Sequence, residues 1–168
     1  MQNQSDVISQ NISSNLAIEI RLATLADLSA VALLEQQVFE TAVYPDFFFR
    51  QAFDLWPDFL LLAWQGSQLV GYILAAPEQQ GLSRLGILSL AVSAESRGLG
   101  VGQLLLNALL QQCLQTTQQL WLTVAPDNLP ALRLYAKSGF VQQKFSEDYY
   151  GKGEPRWVLV KHLGGDLL

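Results

Sequence analysis

Residues 88–106, LSLAVSAESRGLGVGQLLL, join an apolar strand to a glycine-spaced turn and then to a strongly apolar helix. Gly98, Gly100 and Gly102 permit backbone torsions and close approaches that a Cβ would forbid, so several N–H groups in succession can point into one concavity. A helix that opens near Gly100 adds its positive N-terminal end, which favours a bound anion such as a pyrophosphate. A buried strand over residues 119–124 follows the helix. A strand–helix–strand passage of this length implies parallel pairing through a right-handed crossover.

The kind of anion cradle is decided residue by residue. The phosphate loop of nucleoside triphosphatases needs G-x-x-x-x-G-K-[ST], but Gly102 is followed by Gln103 and Leu104, with no lysine for phosphate and no hydroxyl for magnesium. The dinucleotide fingerprint G-x-G-x-x-G fails as well, because the spacing here is G-x-G-x-G. What remains, Arg97-Gly98-Leu99-Gly100-Val101-Gly102 after Leu90-Ala91-Val92, resembles the acetyl-CoA signature Q/R-x-x-G-x-G/A of the GNAT N-acetyltransferase superfamily. That resemblance implies the GNAT fold, an α/β (α+β) architecture whose central mixed sheet of about seven strands is flanked by about four helices. It also implies acetyl-CoA as cosubstrate, held by Leu90, Ala91 and Val92 on the strand and by Arg97, Gly98, Leu99, Gly100, Val101 and Gly102 in the turn. Without a ligand the same residues would be a tight turn and nothing more.

Length and composition fit a small enzyme. At 168 residues the chain reads as a flexible tail over residues 1–15, rich in Gln, Asn and Ser, followed by a single domain over residues 16–163. Half of the residues are hydrophobic and 15% are charged, which excludes disorder for most of the chain. No apolar run reaches the ~18 residues of a membrane span, and no basic-then-apolar leader opens the chain, so no membrane association and a cytoplasmic location are expected. Ten Lys and Arg against 15 Asp and Glu give a net charge of −5, which argues against nucleic acid as a partner and suits an amine-bearing acceptor. Cys113 is the only cysteine and is expected to act as a buried hydrophobe. The only histidine, His162, is expected to be solvated.

Periodicity and turn residues order the elements. A first strand is expected over residues 16–22, then a helix from Leu25 to about Phe39 capped by Thr24, and a second helical stretch opened by Pro45 and running through Phe53. Residues 59–65 and 69–76, joined by Gly66 and Ser67, read as a β-hairpin. Residues 85–92 form the strand before the cradle and residues 101–115 the helix after it. A short helix over residues 129–138 is stopped by Gly139, and strands are expected near residues 140–145 and 156–161.

The second constellation, from Asp127 to Phe140, resembles the N-x-x-A-x-x-x-Y-x-x-x-G-F element of the same superfamily. Asn128 and Tyr135 are seven residues apart, two helical turns on one face, where both can touch one elongated ligand. The resemblance implies that Asn128 contacts the pantetheine arm and that Tyr135, near the thioester sulfur, is the catalytic acid. Read from the residues alone, Asn128 can instead cap the helix and Tyr135 can pack in the core.

Tyr44-Pro45, Leu120-Trp121-Leu122-Thr123-Val124 and Asp148-Tyr149-Tyr150 resemble the protein N-terminal-α-amine acetyltransferases, the RimI-type enzymes among them. This implies that Tyr44, Tyr149 and Tyr150 bind the acceptor, though Tyr149 and Tyr150 can equally be exposed strand aromatics. Two departures stand out. Thr123 occupies a position that is often Glu or His in that group, and Gly86 occupies one where some members have a base-forming Tyr, so neither can act as the base. A water relay to Glu147, Asp148, Glu154 or the tyrosine pair is open, as are a small-molecule amine as the acceptor and a sensor that binds acyl-CoA without transfer. The aromatic run Tyr44, Phe47, Phe48, Phe49, Phe53, Trp56 and Phe59 is either core filling or an acceptor wall or dimer surface, and a monomer or homodimer is expected. No cluster of residues has metal-ligand spacing, so activity is expected to survive exhaustive chelation, and a thiol-release assay with and without chelator checks this.

Overall fold

Period-two alternation in the strands and 3.6-residue apolar stripes in the helices give one mixed sheet with helices on both faces. The computed structural model describes residues 17–164 except 41, 42, 80 and 114. The expected tail over residues 1–15, and Leu16 as the start of the first strand, lie outside the described residues. In chain order the elements are β1 (Ile18–Leu22), α1 (Leu28–Val38), α2 (Asp46–Leu55), β2 (Leu60–Gln65), β3 (Gln68–Glu78), β4 (Gly81–Val92), α3 (Val101–Cys113), β5 (Gln119–Val124), α4 (Leu129–Lys137), β6 (Val141–Ser146) and β7 (Arg156–His162).

The sheet order is β1-β2-β3-β4-β5-β7-β6. Each neighbouring pair is antiparallel except β4 and β5, which run parallel on either side of the α3 crossover, as the passage through the glycine turn requires. Alternate residues of each strand divide between two cores. Leu61, Ile73, Leu85, Ile87, Leu120, Leu122 and Leu159 pack beneath Leu105, Leu106 and Leu109 of α3 and Tyr135 of α4. On the other face Leu60, Leu62, Tyr72, Leu74 and Ala91 pack beneath Val31 and Leu34 of α1 and Phe49 and Ala52 of α2. Most of the aromatic run joins this second core. Phe49 is fully buried there, Phe59 is buried in the α3-side core instead, and Phe47 is 66% exposed.

Three departures from the expected elements have local causes. The helix expected from Leu25 begins instead as a 3₁₀ turn over Leu25–Asp27, because a capping box closes there. The Asp27 carboxylate accepts from the Thr24 N–H at 2.7 Å and the Thr24 hydroxyl at 2.8 Å, and from two Arg21 guanidinium nitrogens at 2.7 and 2.9 Å. Strand β4 starts four residues earlier than its apolar run, since Arg84 pairs with Glu78 at 2.9 Å and with Gln119, and the polar hairpin end keeps its ladder. The third departure positions the site: Ile87 faces Ala75 and Ser89 faces Leu74, so Leu88 is an extra, bulged residue on β4. Beyond the bulge β4 no longer pairs with β5, whose ladder joins residues 84–87 to 119–122 and stops.

The Arg21 hydrogen bond first, and the Thr24 donors with it, hold the Asp27 carboxyl well below the usual carboxylate range. A depressed folded value means stability that is present above the unfolded pKa of about 3.9 and lost as pH falls through the folded value. Asp27→Ala is expected to cost about 1.5–3 kcal/mol at neutral pH, and the variant is expected to lose less stability than the parent on acidification below about pH 4. Urea unfolding of both proteins at a series of pH values checks this, and equal acid sensitivity would contradict it.

Candidate active site

The turn between β4 and α3 is built by backbone conformation. Gly98 (φ 77°) and Gly100 (φ 82°) sit in the left-handed region that side-chain-bearing residues resist. Gly102 is small for another reason: a Cβ there would lie 3.3 Å from Leu134 Cδ2, so its hydrogen lets α3 approach α4. Leu104 is the first residue of α3 to bond back, to the Gly100 carbonyl at 3.0 Å, while Leu99 donates to Ser96 at 3.4 Å. The amides of Gly98, Gly100, Val101, Gly102 and Gln103 meet no backbone carbonyl of the described residues. Arg97, exposed, stands at the start of the turn. Leu90 and Val92 lie beside this turn on the α3 face, and Ala91 is buried on the opposite face.

Tyr135 projects from α4 into the α3-side core, 7% exposed, with its ring edge-on to Phe140 at 5.5 Å. Burial pushes its phenol well above the ordinary value, so the hydroxyl holds its proton. Asn128 is exposed and its Oδ1 accepts from the Ala131 N–H at 3.2 Å, which makes it the cap of α4.

Across the gap between β4 and β5 stand three tyrosines. The Tyr44 hydroxyl reaches the carbonyl of the bulged Leu88 at 3.5 Å, and its ring stacks on Phe48 at 4.2 Å. Burial, then the nearby Tyr150 and Glu35, push the Tyr44 phenol up. Tyr150, 64% exposed on the β6–β7 connection, meets Thr123 of β5 hydroxyl to hydroxyl at 2.9 Å. Tyr149 packs edge-on against it at 4.9 Å, and the Arg156 guanidinium lies 5.0 Å over the Tyr150 ring. Two of the carboxylates considered as bases serve this connection instead. Asp148 accepts from the Gly153 N–H at 2.7 Å, and Glu154 pairs with Arg156 at 3.3 Å.

Gly86 and Trp121 are side-by-side partners in the parallel ladder. A Cβ on Gly86 would lie 3.1 Å from the Trp121 indole, so the ring fills the space that a side chain at 86 would take. The indole Nε1 is buried and has no hydrogen-bond partner.

Sequence reasoning missed a buried chain of polar groups behind the gap. Glu35 Oε2 accepts from the Tyr72 hydroxyl at 2.5 Å, Oε1 accepts from the Tyr44 N–H at 2.9 Å, and the Tyr72 and Ser89 hydroxyls lie 2.7 Å apart. The signal was available: Glu35 follows Val31 by four residues on the apolar stripe of α1, where a carboxylate is out of pattern. Burial and Glu35 push the Tyr72 phenol far above its ordinary value. Cys113 is buried, with its thiol pushed up by burial, and His162 is exposed, its Nε2 3.3 Å from the Gln119 side chain. Among the described residues no group of three or more His, Cys, Asp or Glu side chains converges, and no helix is long and apolar enough to cross a membrane.

The profile of the Acetyltransferase (GNAT) family matches residues 27–140, a span that holds the bulged strand, the glycine turn and α4. An N-alpha-acetyltransferase of Sulfolobus acidocaldarius is 28% identical over 167 residues, 93% of this chain and 99% of the relative. The crystal structure of Ard1 from Thermoplasma volcanium superposes with a TM-score of 0.81 at 26% identity, covering 89% of this chain and 99% of that one. Arabidopsis thaliana Naa50, solved with the bisubstrate analogue CoA-Ac-MVNAL, superposes with a TM-score of 0.76 at 26% identity, covering 87% and 99%.

The packing of Trp121 over Gly86 makes the two positions dependent on each other. Gly86→Ala is expected to destabilise the fold by about 1–3 kcal/mol through overpacking, and most of that loss should vanish when Trp121 is also replaced by Ala. A double-mutant cycle by chemical denaturation measures the coupling, and additive costs would show that the indole does not occupy this space.

Proposed function

The chain belongs to the acetyltransferase (GNAT) family, and from that premise we propose that it transfers the acetyl group of acetyl-CoA to the α-amine at the N-terminus of a protein. It is an acetyl-CoA-dependent N-acetyltransferase that acts on a primary amine. The observation that carries the finer reading is the open edge of β4 beyond Leu88, with the glycine turn on one side and Tyr44 and Tyr150 on the other. That arrangement offers one channel with a cosubstrate end and an acceptor end. A relative named N-alpha-acetyltransferase, matched over 93% of this chain, supports a peptide N-terminus at the acceptor end.

The cradle fits its cosubstrate. The amides of Gly98, Gly100, Val101, Gly102 and Gln103, which meet no backbone carbonyl of the described residues, and the positive end of α3 suit a pyrophosphate, and a Cβ at 98 or 100 would demand a strained backbone. When bound, acetyl-CoA supplies an acyl group on a sulfur leaving group. Arg97 and the residues 98–102 hold the phosphates, and Asn128 contacts the pantetheine arm. The amide of Leu90 donates to the carbonyl oxygen as charge develops there. Tyr135, kept protonated by burial, delivers a proton to the departing sulfur. Tyr44, Tyr149 and Tyr150 border the acceptor end. In this reading residues 16–163 form the catalytic domain, residues 1–15 a tail, and the protein works in the cytoplasm.

Free-thiol release from acetyl-CoA, measured with peptides bearing free N-termini and with a set of small amines, tests the reading. Release that depends on a peptide α-amine is expected, and release with small amines alone would overturn the protein-directed part. Tyr135→Phe is expected to lower turnover roughly 10²-fold while acetyl-CoA affinity stays within about twofold. Turnover near the parent value would remove Tyr135 from the chemistry.

A further inference from the structure

At neutral pH an α-amine is largely an ammonium ion, with a pKa of about 7.7–8.0, and it must lose a proton before it can attack. The positions that resemblance marks for a base hold Gly86 and Thr123, and the Thr123 hydroxyl is engaged with Tyr150. Asp148 and Glu154 are spent on the β6–β7 connection. Glu147 is exposed on the same connection, and one buried carboxylate stays unexplained: Glu35, 1% exposed and without a cation among its described partners.

The groups that face Glu35 are all donors or neutral rings. From β3 comes the Tyr72 hydroxyl, and from the segment before α2 the Tyr44 N–H. Phe49 of α2 packs edge-on against Tyr72 at 5.6 Å and carries no charge. From β4 comes Ser89, one residue past the bulge, which reaches Glu35 through Tyr72. Tyr72 is fully buried, while Ser89, also buried, keeps 9% of its residue surface, so any opening of the chain of hydroxyls toward the surface is at Ser89. That opening lies on the α1/α2 face of the sheet, beside the Leu88 carbonyl that Tyr44 touches, and so at the acceptor end of the channel. A glutamine at 35 would keep the Tyr44 N–H on its oxygen but turn its NH2 on the Tyr72 oxygen and send that hydroxyl proton toward Ser89, so a carboxylate is what keeps the Tyr72 proton aimed at residue 35.

We propose that Ser89, Tyr72 and Glu35 form a proton path that drains the acceptor ammonium. This rests on the acetyl-transfer reading and names the base that reading lacks. The ammonium N–H bond breaks as its proton passes to the Ser89 oxygen, and Ser89 passes its own hydroxyl proton across 2.7 Å to Tyr72. Tyr72 passes its proton across 2.5 Å to Glu35 Oε2. The nitrogen keeps its electron pair, both hydroxyls are restored, and the proton rests on Glu35 as a carboxylic acid. Ser89 touches the substrate, whereas Tyr72 and Glu35 act through it.

The test compares kcat/KM against pH for the parent, Ser89→Ala and Glu35→Gln, using any amine that the parent acetylates. At about pH 6.5 both variants are expected to fall roughly 10²-fold, with acetyl-CoA affinity within about twofold of the parent. The deficit should close as pH rises past the amine pKa, because a neutral amine has no proton to lose. A deficit that stays constant with pH means a structural role and overturns the path, as does parent-like turnover of Ser89→Ala at pH 6.5. Ser89→Ala removes one oxygen and decides the matter should Glu35→Gln fail to fold. Which amine serves as acceptor judges the protein-directed reading separately, and acetylation of no amine at all by the parent would overturn both.

Discussion

The single extra residue at Leu88 is the constraint on which the rest of the site depends. Two strands in a parallel ladder satisfy each other's amides and carbonyls, and β4 and β5 do so only over residues 84–87 and 119–122. The bulge bends β4 away, so its edge beyond Leu88 is left without a strand partner on the β5 side. An unpaired backbone group buried without a partner costs roughly 1–3 kcal/mol. A fold that leaves such an edge open therefore has an edge suited to a ligand that itself carries amides. Tyr44 meets the Leu88 carbonyl, and the glycine turn opens at Arg97 beyond the end of the same strand, so the tyrosine and the turn flank one opening.

Side chains around the open edge of β4 compensate one another in space and charge. Gly86 removes a side chain from β4, and the Trp121 indole takes the space. Thr123 is neutral and is tied to Tyr150, which in turn lies beneath Arg156. A polar cluster lies on the other side of β4, where Glu35 is held by a hydroxyl and an amide. A buried carboxylate with two donors is tolerable, but it is costlier than a neutral isostere, and groups held at such a cost cluster at functional sites.

Much of the frame was legible in the sequence. The alternation of apolar residues, the cap residue Thr24, and the glycines at 98, 100 and 139 act within a few residues of chain, so their consequences can be read locally. Even the parallel pairing of β4 and β5 followed from connection length, because a crossover of that size has one favoured hand. Asn128 and Tyr135 were also visible as a pair, though their neighbours decide what each does: Asn128 caps its own helix, while Tyr135 is enclosed by α3 and Phe140.

What the sequence by itself determined, then, is the order of elements, the class of sheet and the glycine cradle, each a matter of torsion preference or periodicity over short spans. Tertiary structure alone decided the rest. The bulge at Leu88 depends on the register that β3 imposes across the ladder, which no property of β4 encodes. Glu35 meets Tyr72 across 37 residues of chain, Tyr72 meets Ser89 across 17, and Thr123 meets Tyr150 across 27. Hydrogen bonds of this kind form only after packing has brought distant strands and helices together, so their partners are set by the whole fold.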